Sequence, residues 1–174
     1  MKKLTIICSL FLLAMLAAGA RVSRAQGSFE YITGKVFDEA LPKDFYLEGN
    51  AIPTQKRNAG LLKTPAGARL VFALLDTSGY SSQVQEKYLG MLISEGSVSV
   101  CGNNVGVGSF GFGLIKSGTS GDAQFVLYDQ AGKKVRDCAV KADAALEHPS
   151  PLQVKMATGK VLLYLGRYLV ELKP

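Results

Sequence analysis

The chain has 174 residues, of which 20 are Lys or Arg and 14 Asp or Glu, with 48% hydrophobic residues and no tryptophan. That length allows one domain, and the apolar fraction excludes a disordered chain. The formal charge of +6 is uneven: Lys2, Lys3, Arg21 and Arg24 lie in the first 25 positions, which hold no acid, and the remainder carries 16 basic against 14 acidic residues. A nearly balanced domain gives no electrostatic reason to expect nucleic acid.

The chain opens as a secretory leader. A cationic start (Met1-Lys2-Lys3) is followed by the apolar run Leu4 to Ala18 and then by small residues, the order an export signal requires. Cleavage after Ala20 or after Ala25 satisfies the small-x-small rule; the second removes both arginines and leaves a domain over 26–174. A span needs about 20 apolar residues, and this run, even counted on to Ala20, barely reaches the lower limit of about 17. An exported protein, periplasmic or extracellular, is therefore expected, with no transmembrane span after the leader. Without Cys8, which lies in the apolar run, two cysteines remain, Cys101 and Cys138. An even pair in an oxidising compartment predicts a disulfide.

The mature region reads as strands. Gln26 to Phe37, with Phe29, Tyr31 and Ile32, predicts the first, and Phe45 to Ile52 the second, stopping at Pro53. Leu70 to Leu75 is continuously apolar over six residues, as expected of a strand buried on both faces. Ser82 with Gln85 forms a possible capping box, which predicts one short helical turn over 82–86 before a strand. Ser97 to Cys101 alternates, Gly102-Asn103-Asn104 reads as a turn, and Val105 to Val107 and Phe110 to Leu114 resume the alternation. Two hairpins follow, 125–128 with 133–140 and 152–156 with 161–165 around Thr158-Gly159. The stretch 168–173 alternates too, leaving Gly166-Arg167 as either a turn or a bulge. Eight to eleven short strands with frequent turn signals predict an all-β antiparallel sandwich or small barrel.

Few residues suggest chemistry. Gly106-Val107-Gly108-Ser109-Phe110-Gly111 matches GxGxxG, but a strand pattern follows where a phosphate-binding helix would have to begin. Glycines that face away from the core, or lie under an aromatic, fit better, and no cofactor is expected. His148, the single histidine, lies in Glu147-His148-Pro149-Ser150-Pro151, an extended surface connection. It leaves no standard zinc set, and no metal is expected. Lys56-Arg57 and Lys133-Lys134-Val135-Arg136 are too dispersed among acids for a nucleic-acid stripe.

Leu74-Leu75-Asp76-Thr77-Ser78 resembles the apolar-apolar-Asp-Thr-Gly/Ser loop of aspartic peptidases, and Tyr164-Leu165-Gly166-Arg167 resembles the apolar-apolar-Gly element of their small retroviral-type members. The resemblance implies a dimeric peptidase in which Asp76 of each subunit shares a proton at the twofold axis, with Thr77 and Ser78 beside it. Gly79 departs from the Ala, Ser or Thr usual after the triplet. The first expectation is instead a non-catalytic exported domain that binds a ligand or an envelope or protein partner through loops. Its candidate residues are Asp76, Tyr80, Asn103 and Asn104. A third possibility is a small barrel that holds an apolar ligand among Phe72, Phe112 and Tyr164.

Overall fold

The computed structural model describes residues 27–117 and 121–174; the leader read at 1–25, with both cleavage sites and Cys8, lies outside them. The described chain forms thirteen strands and two short helices: β1 (Glu30–Ile32), α1 (Lys35–Ala40), β2 (Asp44–Leu47), β3 (Asn50–Lys63), β4 (Arg69–Leu75), α2 (Ser82–Lys87), β5 (Gly90–Ser94), β6 (Val98–Val100), β7 (Asn103–Val105), β8 (Gly108–Ser117), β9 (Asp122–Tyr128), β10 (Lys134–Lys141), β11 (Leu152–Ala157), β12 (Lys160–Leu165) and β13 (Tyr168–Lys173). Every pairing is antiparallel. An eight-stranded sheet runs β1-β3-β4-β5-β8-β9-β10, with β2 also on β3, and a five-stranded sheet runs β11-β12-β13-β6-β7. Neither closes on itself, so the all-β expectation resolves as a sandwich and the barrel is excluded.

Period-two alternation builds the core between the sheets. Leu70, Phe72 and Leu74 of β4, Phe112 of β8, Phe125 and Leu127 of β9, and Val161, Leu163 and Leu165 of β12 all point into it. The intervening residues of β4, Val71, Ala73 and Leu75, are buried too, in a second cluster with Phe45, Leu47, Ile52, Val84, Tyr88 and Met91. That cluster lies on the other face of the large sheet, covered by the β2–β3 hairpin and α2. It explains why β4 has no polar position after Arg69: Leu70 to Leu75 is buried on both faces, as its continuous apolar run predicts.

Several expectations are corrected. The stretch from Gly34 to Phe37 is not strand: Gly34, at φ +71°, opens α1, which tucks Phe37 and Ala40 against the outer cluster. Among the described residues there are thus two helices, not one. The cap of α2 is Ser81, whose hydroxyl accepts from the Val84 amide at 3.4 Å, one residue before the expected capping box. Pro53 does not end a strand; β3 runs through it and bulges between Thr54 and Ala59, where the Gln55 amide donates to the Leu75 carbonyl at 3.0 Å. The β6–β7 turn is Cys101-Gly102, both with positive φ, so Asn103 and Asn104 are strand residues rather than the turn. Gly166-Arg167 is a two-residue turn between β12 and β13. The single strand expected over 45–52 is instead a hairpin, β2 and β3, turning at Glu48-Gly49, both with positive φ, which helps to raise the count to thirteen.

The glycines of β8 have a packing reason. A side chain at Gly111 would strike the Tyr88 ring, and one at Gly113 the main-chain carbonyl of Lys87. The chain lacks side chains there so that α2 can lie directly on the sheet. The Cys101–Cys138 disulfide, with its Cα atoms 6.2 Å apart, links the β6–β7 turn of one sheet to β10 of the other.

Candidate functional site

At one end of the sandwich the inward faces of four strands stop without closing. Leu74 is the last inward residue of β4, Leu114 is the last inward leucine of β8, Ala142 follows β10, and Leu165 ends β12. Together with Leu89, Pro151 and Tyr168 they line a groove of about 510 Å³, within the range of small-molecule sites. Elsewhere in the same core Phe29 and Val98 are buried, and Phe110 packs against the cluster. Here the terminal side chains are leucine and alanine, too small to meet across the gap.

Four polar side chains lie at the rim: Gln85 and Glu86 from α2, Lys116 from β8 and Arg167 from the β12–β13 turn. Lys116 continues the inward alternation of Phe110, Phe112 and Leu114, which places a cation where the pattern has set core residues. Arg167 is fixed from behind: its Nη1 donates to the Leu146 carbonyl at 2.6 Å and the Asp143 carbonyl at 3.4 Å, and its own carbonyl accepts from the Asp143 amide at 2.8 Å. The Asp143 carboxylate accepts from the Tyr164 hydroxyl at 3.2 Å, and burial followed by that carboxylate raises the Tyr164 pKa. A bridge between Ala142 and Tyr168 joins the two sheets along one side of the groove. Among the described residues, Glu86, Lys116 and Arg167 form no ion pair.

The position of α2, one wall of the groove, is fixed by a polar clamp on the other face of the sheet. Lys87 pairs with Glu48 in the β2–β3 turn, and its Nζ stands 5.2 Å and 5.1 Å from the ring centroids of Tyr88 and Tyr128. Tyr88 stacks edge-on against Tyr128, and burial raises the pKa of its hydroxyl, which has no hydrogen-bond partner among the described residues. The hydrogen bond from Lys87 lowers the Glu48 pKa. A carboxylate held below its ordinary value contributes stability above that value and loses it as the pH falls through the lowered one. Acid titration followed by circular dichroism is therefore expected to show stability falling below about pH 4.5, with a shallower fall in Glu48→Gln. An identical fall in Glu48→Gln would remove the clamp from this account.

The residues expected from sequence are placed as follows. Asp76 is exposed at the end of β4 and accepts from the Ser78 hydroxyl at 2.7 Å and the Ser78 amide at 3.2 Å, which lower its pKa. Thr77 lies in the same turn, its carbonyl accepting from the Tyr80 amide at 3.0 Å, and the Tyr80 hydroxyl donates to the Ala51 carbonyl. Asn103 and Asn104 are on β7, the edge of the other sheet, where Asn104 meets Ser97 at 2.5 Å. The structure joins Asp76, Thr77, Ser78 and Tyr80 in one turn, and among the described residues no hydrogen bond connects that turn to the asparagines. Phe72 and Phe112, two of the expected cavity residues, are fully buried in the core, and Tyr164 is buried beside Asp143; none lines the groove. His148 is exposed, and Lys56 and Lys134 are paired with Asp38 and Asp137. The GxGxxG glycines serve the strand: Gly108 lies under the Phe110 ring and Gly111 under Tyr88.

Comparison of the chain with protein families, with curated proteins and with solved structures finds no match.

Proposed function

We propose that the protein is an exported, non-catalytic binding domain that takes the apolar part of a small ligand into the groove between Leu74, Leu89, Leu114 and Leu165. The observation that carries this reading is the distribution of chemistry in the groove: aliphatic walls continuous with the core, and polar side chains confined to the rim. The disulfide supports the oxidising compartment. Among the described residues no helix is long and apolar enough to cross a membrane.

N-phenyl-1-naphthylamine, a neutral apolar fluorophore, tests the reading. Saturable one-to-one binding is expected, weakened about tenfold in Leu89→Glu, since losing the contact of one leucine costs about 1.5 kcal/mol. Leu89 is 37% exposed, so the variant should retain the wild-type circular dichroism spectrum. Absence of saturable binding, or binding equal in the folded variant, would contradict the assignment.

A further inference from the structure

The groove also indicates the charge of what it binds. Resting on the binding reading above, we propose that its ligand is a monoanionic amphiphile, with the tail between the sheets and the anionic head on Lys116 and Arg167. The two cations come from different sheets, β8 of the large one and the β12–β13 turn of the small one, and they share one mouth. Lys116 is the more telling. It occupies the next inward position after Phe110, Phe112 and Leu114, so its aliphatic stem extends the apolar wall while its ammonium sits at the rim.

Arg167 is prepared for the same task. Its Nη1 is occupied by the Leu146 and Asp143 carbonyls, which hold the guanidinium plane without neutralising its charge. Its Nε and Nη2 have no acceptor among the described residues, and these are the donors a carboxylate or sulfate head would engage. Glu86, on α2, is the acid of the rim. It disfavours an anionic head on the helix side and leaves β8 and the β12–β13 turn as the place for it. A neutral head would make no charge-assisted hydrogen bond with either cation, and a cationic head would be repelled by them.

The test uses three ligands with one tail, below their micellar concentrations and at about pH 8: decanoate, 1-decanol and decyltrimethylammonium, each displacing N-phenyl-1-naphthylamine from the full domain. Decanoate is expected to bind at least about tenfold more tightly than decanol, and the ammonium more weakly than either. In Lys116→Glu, at an exposed position, the ratio of decanoate to decanol affinity should fall to about one or below. Equal binding of decanoate and decanol, both lost in Leu89→Glu, would overturn the charge assignment and leave the groove reading standing. A decanoate preference undiminished in Lys116→Glu would do the same. Failure of all three ligands to displace the fluorophore would overturn both.

Discussion

Replacing Phe112 with alanine is expected to lower the unfolding free energy by about 3–5 kcal/mol, read as a shift of the urea midpoint at constant slope. Phe112 is 1% exposed and lies in the core between the sheets, its ring 5.5 Å from that of Phe125 and lying across Gly90 on the neighbouring strand. The Gly90–Phe112 pair is the point where β5 meets β8, and the Phe112 carbonyl accepts from the Leu89 amide at 2.8 Å. Truncation leaves a cavity that cannot collapse, because Gly90 offers no side chain to fill it. A loss below about 1 kcal/mol would mean that the sheets do not pack on this residue.

The second large effect concerns the disulfide. Cys101 and Cys138 are separated by 37 residues in sequence, and closing a loop of that size is worth about 4 kcal/mol on the chain-entropy model. The Cys101→Ala/Cys138→Ala protein should therefore melt roughly 8–16 °C lower, at about 2–4 °C per kcal/mol for a domain of this size. Reductant should lower the melting temperature of the wild-type protein by a similar amount and leave the double variant unchanged. A wild-type protein insensitive to reductant, with two freely alkylated thiols under native conditions, would contradict the link between the β6–β7 turn and β10.

Much of the fold was legible because alternation and turn chemistry are local. The β9–β10 and β11–β12 hairpins, the continuously buried β4 and the cysteine pair all follow from residues close together in sequence or from counting. The errors came where tertiary contact overrides local preference. Nothing local distinguishes Val36-Phe37 from a strand, and α1 forms because Gly34 turns the chain and the outer cluster receives Phe37 and Ala40. Polar Asn103 and Asn104 read as a turn, yet the turn falls on Cys101-Gly102, where Cys101 adopts a positive φ that sequence does not favour.

The groove was the least legible part. It is made of residues from β4, α2, β8, β12 and β13 that share only an end of the sandwich, and no sequence spacing brings them together. One signal was present: the stripe Phe110, Phe112, Leu114 ends in Lys116 at core parity, where a solvated surface lysine would have the opposite parity. The polar turn after Leu75 carries the stronger local pattern, yet there Asp76 is exposed and bonded to Ser78.

The most direct test of the central claim is amide chemical-shift mapping of the isotopically labelled domain titrated with decanoate. The account predicts saturable shifts confined to Leu74, Gln85 to Leu89, Leu114 to Lys116, Ala142 and Leu165 to Tyr168. Shifts centred on Asp76 to Tyr80, on Asn103 and Asn104, or scattered over the surface without saturation would contradict it.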